Sequence, residues 1–220
     1  MKRIYLALFC IAMARISVAQ LDTIEPARLT LGMDIWALLS PKLSTLSVYG
    51  NQRLGRNQYV TAEVGFVLED LNKANPRIDK IGGQRFSLVY QFQRDRRKFW
   101  NASYYFGISY DWDHLEGEGR TTFSRATGQF LQRYPYSTTE DYHSIGLNYG
   151  VIRYIGQHFS FEFGMKINKG KRKSQLKTDV PFDAILTDPD SVNLFKPLRS
   201  EDNGQFIDMR FSLRVGYVVW

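Results

Sequence analysis

The chain of 220 residues holds a single cysteine, Cys10, near its start. The rest of the sequence therefore has no disulfide, no thiol nucleophile and no thiolate metal site. A lipid-anchored cysteine is disfavoured because Cys10 comes too early and bulky Leu8 and Phe9 precede it. There are only three histidines, and neither metal-ligand spacing, a phosphate-cradling glycine loop nor a nucleotide fingerprint occurs. Past the N-terminus no apolar run reaches the roughly 18 residues that a membrane-spanning helix requires. Net charge is also modest. Of the formal +7, Lys2, Arg3 and Arg15 lie in the first 19 residues, and the remaining +4 is too mild to argue for nucleic acid.

Residues 1–19 read as an export signal. Lys2 and Arg3 form a basic start, Ile4 to Met13 a short apolar stretch, and Ser17-Val18-Ala19 a small-residue cleavage site. Residues 20–220 are expected to form one domain. Aromatics reach 15%, and the apolar residues recur at every second position. The first such segment is Leu29, Leu31, Met33, Ile35, Ala37 and Leu39, with Arg28, Thr30, Gly32, Asp34 and Trp36 on the other face. Similar runs follow at Leu46–Gly50, Val60–Leu68, Phe86–Phe92, Ala102–Trp112, Ile145–Val151, Phe159–Ile167 and Met209–Val219. Period two indicates strands.

The connections differ at the two ends. Leu54–Asn57, Asp95–Lys98 and Ile155–Gln157 are quick turns, whereas loops of roughly Glu69–Gly83, His114–Glu140 and Lys169–Gly204 are long. The expected fold is all-β: an eight-stranded antiparallel up-and-down transmembrane β-barrel with short periplasmic turns and three long extracellular loops. A soluble lipocalin-like barrel would also alternate, but it would show Lys, Glu and Thr to water. Here the non-apolar face is Gly, Ser, Asn and Gln, including Gly32, Gly65, Gly107, Gly146, Gly150, Gly164 and Gly216, which suits a narrow interior. Trp36, Trp100, Trp112, Tyr154 and Tyr217 are expected in interfacial girdles.

The final strand, with Tyr217 and the terminal Trp220, resembles the C-terminal assembly signal of outer-membrane proteins. The resemblance implies recognition by the barrel-assembly machinery during insertion, although Trp220 is one position out of phase with Tyr217 and Val219. Gly32–Leu68 is similar to the opening two hairpins of small eight-stranded outer-membrane proteins of Bacteroidetes, a family of unknown function with an OmpA/OmpX-like architecture. Leu38-Leu39-Ser40-Pro41, Thr45-Leu46-Ser47-Val48-Tyr49 and Arg53-Leu54-Gly55 carry the similarity. It implies an outer-membrane location in a Gram-negative cell and supplies no activity or cofactor.

The inward face is expected to hold Arg28, Asp34, Glu63, Arg85, Asp111, Glu162, Lys166, Asp208, Arg210 and Arg214. Unpaired charge in a narrow lumen is costly, so these residues should pair and plug it; the alternative is a small gated pore. Lys169, Lys171, Arg172 and Lys173 open the last loop, either as phosphate contacts to lipopolysaccharide or as a solvated charge run. Phe123, Phe130, Tyr134 and Tyr136 in the His114–Glu140 loop and Phe182, Ile185, Leu186 and Phe195 in the Lys169–Gly204 loop are dense for exposed loops. They cap the barrel mouth or dock a partner, such as another outer-membrane protein or a glycan. A competing class is an outer-membrane enzyme acting on lipid A or peptide. Its candidates are His158 with Ser160, read as same-side neighbours on a strand, and His114 beside Asp111 and Asp113 at the rim. The preferred reading is structural or interactive, with no catalytic residue, no metal and no cofactor.

Overall fold

The computed structural model describes residues 29–40, 43–68, 78–96, 102–125, 131–155, 158–179, 184–187, 192, 194, 199–200 and 204–219. Arg28, Trp100, Phe130, Phe182, Phe195, Trp220 and the leader lie outside the described residues. The chain forms β1 (Leu29–Asp34), α1 (Ile35–Leu39), β2 (Thr45–Arg53), β3 (Gln58–Val67), β4 (Ile78–Arg96), β5 (Ala102–Arg125), β6 (Leu131–Ile155), β7 (Phe159–Thr178), β8 (Ala184–Leu186), β9 (Arg199–Ser200) and β10 (Gln205–Val219). Strands β1 to β7 and then β10 follow one another antiparallel. β10 pairs back onto β1 from Leu29↔Val219 to Asp34↔Arg214, so eight strands close a ring. The fold is all-β, and no helix among the described residues is long and apolar enough to cross a membrane.

The ring closes with a stagger. From Asp34 the register runs through Ser47, Gly65, Arg85, Asp113 and Tyr142 to Arg172 on β7. In the other direction Asp34 meets Arg214 and then Glu162, ten residues lower on β7. Such a shear tilts the strands and leaves an interior that side chains fill. Two inward tyrosines show how narrow it is. A Cβ at Gly150 would stand 2.5 Å from the Tyr105 hydroxyl, and one at Gly216 2.5 Å from that of Tyr49.

Burial alternates along the walls, most regularly on β6. From Tyr142 to Ile152 on β6 the even residues are buried and most odd ones exposed. Leu31, Val48, Phe66, Phe106, Ile108, Leu147, Phe161, Phe163 and Phe211 stand exposed around the outside. Near the long-loop end the polarity reverses. There the inward residues Leu43, Ile81, Leu115, Tyr142, Leu194 and Phe206 form an apolar cap, while Glu116, Glu118 and Lys173 face out.

Three sequence expectations are corrected. The first strand stops at Asp34, and Ile35–Leu39 is a helical turn. Asp34 takes the N-cap and its Oδ1 accepts from the Ala37 amide at 3.1 Å, a role short acidic side chains favour. The expected loop His114–Glu140 is largely strand, and strand extends into the other two long loops. β5 and β6 run on as a tall hairpin with only residues 126–130 between them, β7 continues to Thr178 and β4 starts at Ile78. Alternation persists there with inside and outside exchanged, which hides it from a search for outward apolar residues. Finally, Gly83 lies within β4 and not in a loop. Its φ is +150°, and a Cβ there would strike the His114 carbonyl.

Candidate functional site

The lumen gathers charged side chains from six strands in three linked groups. In the first, Arg214 donates from Nη1 to Glu162 Oε1 at 2.8 Å and from Nη2 to Glu63 Oε2 at 2.5 Å. Its guanidinium lies 5.2 Å from the Tyr49 ring centroid, with Asp34 Oδ2 at 3.8 Å from Nε. Tyr105 also donates to Glu162, at 2.8 Å. In the second, Lys166 Nζ donates to Asp111 at 2.7 Å and to Ser87 at 2.8 Å. In the third, Asp113 accepts from Arg85 Nε at 3.1 Å and from Arg210 Nη2 at 2.6 Å, and Arg210 Nε donates to Asp208 at 2.9 Å. Alternation alone sets which residues face inward. Which of them meet is set by the stagger of the ring.

Nine of the ten charged residues expected in the lumen are thus placed facing it, and Arg28 is outside the described residues. Sequence reading missed Asp113, which bridges two arginines; it shares Asp111's parity one step further up β5. Glu140 was missed for the same reason. It is fully buried, takes the Tyr142 hydroxyl and accepts from the Leu194 amide at 3.3 Å.

Beside this network lies a cavity of about 330 Å³, bounded by α1, β10 and the lumen charges. Among the described residues no group of three or more potential metal ligands occurs.

The other expected sites are redistributed. Lys169, Lys171 and Lys173 lie in β7, not in a loop, and their side chains stand exposed on its outer face directly above the apolar Ile167. Arg172 has the opposite parity and turns inward towards Tyr142. Phe123 and Tyr136 are buried strand residues facing inward, Phe123 packing edge-on against Tyr134 at 5.9 Å. That corrects their placement on an exposed loop. Ile185 is exposed, Leu186 is half-buried, and β8, which holds both, pairs with β5. Tyr217 faces out between Leu31 and Phe159.

His158 and Ser160 are not same-side neighbours. His158 sits in the turn and stacks on exposed Tyr217 at 5.5 Å, while Ser160 is buried in the lumen. Alternation does not extend backwards through a turn. His143 pairs with the Tyr110 hydroxyl at 2.8 Å. His114 bridges Asp141 at 2.7 Å and Glu116 at 3.1 Å on the outer rim. The hydrogen bond to Asp141 leads the effects that raise its pKa above the ordinary histidine value.

No protein-family model and no curated protein matches the sequence. Among solved structures, the crystal structure of a major outer membrane protein from Thermus thermophilus is similar at a TM-score of 0.46 and 10% identity, over 88% of this chain and 98% of that one.

Proposed function

We propose that this chain is an integral outer-membrane barrel with a structural and interactive role at the cell surface. The observation that carries the reading is the inverted wall: an apolar belt surrounds a charged, hydrogen-bonded lumen. A soluble barrel would have to hold Phe106, Ile108, Leu147 and Phe163 in water, each more than half exposed. Lipid accepts that belt and forces the sheet to close, because it offers the backbone no hydrogen bonds. The signal-like residues 1–19 and the similarity of Gly32–Leu68 to small Bacteroidetes outer-membrane proteins agree with this location. The three ion-pair groups and the apolar cap close the lumen, so the reading includes neither conduction nor catalysis.

Lys169, Lys171 and Lys173 meet the headgroup level just above the belt, where they contact lipopolysaccharide phosphates. At the tip of the tall hairpin, Leu131 and Ile185 flank Ser124 on its two neighbouring strands and are both well exposed. This row favours docking of another outer-membrane protein, whose identity mild-detergent extraction would give.

The test is insertion of the purified chain into vesicles with and without lipopolysaccharide. The reading expects heat-modifiable, protease-protected barrels that retain lipopolysaccharide, with retention falling when the three lysines become alanine. A detergent-free soluble monomer would refute the membrane placement. Unchanged retention in the lysine variant would refute the phosphate contacts.

A further inference from the structure

Among the described residues the wall of the ring is interrupted beside α1. β1 ends at Asp34, whose partners are Ser47 on β2 and Arg214 on β10. Above that level, β10 from Asp208 to Leu213 has no strand on its β1 side among the described residues; pairing there resumes only at Ile207 with β9. α1 fills the interval loosely. None of its five residues is buried, and Trp36 meets β10 edge-on at Phe211, with ring centroids 6.4 Å apart.

The cavity opens at this seam. Five consecutive β10 residues, Asp208 to Ser212, line it. Trp36, Ala37 and Ser40 line it together with Asp111, Lys166 and Arg210, so the cavity runs from α1 beside β10 into the lumen. Its outer rim is apolar and exposed at Trp36, Met209 and Phe211. Its inner end reaches Gln91 and Asn148, which flank Gly107 on β5. Both amides are at least 95% buried, and Gln91 Nε2 and Asn148 Nδ2 have no acceptor among the described residues. Buried donors left unmatched are costly.

We propose that this seam is the binding site of an amphiphile with an uncharged, hydroxyl-rich head. The alkyl part lies against Trp36 and Phe211 in the outer leaflet, and the head enters the lumen. Hydroxyl groups both donate and accept, which suits a wall of mixed carboxylates, guanidinium groups and amides. Their oxygens complete Gln91 and Asn148. The network already holds six carboxylates (Asp34, Glu63, Asp111, Asp113, Glu162 and Asp208) against four cations, so an anionic head adds repulsion and a desolvation cost. The volume falls in the range of small-molecule pockets. The inference rests on the membrane reading above, because the alkyl part needs a lipid-facing rim.

The test uses the barrel in lipid nanodiscs and an alkyl maltoside with a brominated chain, added below its micellar concentration. Quenching is read as the difference between the parent protein and Trp36→Phe. The expected result is saturable quenching, displaced by unbrominated maltoside and not by alkyl sulfate of equal chain length. The pair Gln91→Leu and Asn148→Leu should weaken binding about tenfold or more, and Ala37→Phe at the rim should abolish it. Heat-modifiable mobility confirms that each variant is folded, and the rim variant tests the site without touching the lumen. Quenching that rises without saturating, equal displacement by alkyl sulfate, or indifference to both sets of variants would overturn the site. A chain that never enters the nanodisc would instead defeat the membrane reading itself.

Discussion

Strand β5 passes through two regions that treat the same chain in opposite ways. In the lower region Phe106, Ile108 and Tyr110 face out while Ser109 and Asp111 face in. Beyond Asp113 the outward residues are His114, Glu116, Glu118 and Arg120, and the inward ones include Leu115, Thr121 and Phe123. Backbone pairing does not change across the transition, since β5 stays in register with β6 from Ala102 to Ser124. What changes is the preferred neighbour of the outer face. The lower outside suits hydrocarbon, so polar groups turn inward and pair with one another. The upper outside suits water, so the apolar groups turn inward and form the cap. One strand geometry serves both solvents because period two separates faces without assigning them a polarity.

The largest effect is expected at Arg214. Replacing it with methionine leaves Glu63 and Glu162 as buried charges without their cation, and the expected cost is about 3–5 kcal/mol in urea unfolding. Adding Glu63→Gln and Glu162→Gln to that variant should recover much of the loss. Truncating the cap at Leu115, which is 0% exposed, should cost about 2–5 kcal/mol by the same measurement. Ile108→Ala, on the outward face below, should cost far less, since no protein cavity is left.

Arginine on the outer face should have a different cost at two heights. Ile108→Arg in the belt is expected to cost about 2–4 kcal/mol. Glu118→Arg, on the same face of the same strand above the reversal, should stay within about 0.5 kcal/mol. Equal costs would remove the distinction between the regions. A smaller effect, about 1 kcal/mol, is expected for Asp34→Ala through loss of the α1 cap. Asp34→Asn, which keeps a capping oxygen, should retain α1, and Trp36 fluorescence reports the difference.

The smallest effect belongs to the rim. His114, partnered by Asp141 and Glu116, has a folded pKa above its ordinary value near 6.5. Its contribution is fully present below the unfolded pKa and lost as pH rises through the folded one. Asp141→Asn should flatten that slope in pH-dependent unfolding, and an unchanged slope would mean the proton is held elsewhere.

Much of this arrangement was legible in the residues. Asp34, Glu63, Arg85, Asp111, Glu162, Lys166, Asp208, Arg210 and Arg214 lie on the polar parity of their segments, and parity needs no tertiary information. The same reasoning failed where polarity reverses. Asp113 and Glu140 continue the inward parity, but their strands no longer carry an apolar outer face to mark it. It also failed at Ile35–Leu39, where the apolar spacing fits a strand while the Asp34 cap starts a helical turn.

By itself, then, the sequence determined the strand periodicity, the end with short turns and the inward or outward sense of the belt residues, because these follow from spacing along one chain. Only the tertiary structure decided that Arg214 meets Glu63 from β3 and Glu162 from β7, since that depends on the ten-residue stagger at which the ring closes. It alone placed Leu194, from the last connection, over the lumen against Leu115 and Tyr142, and among the described residues it left β10 without a strand beside α1. Those outcomes depend on which distant segments become neighbours, which is a property of the closed sheet and of no local stretch of residues.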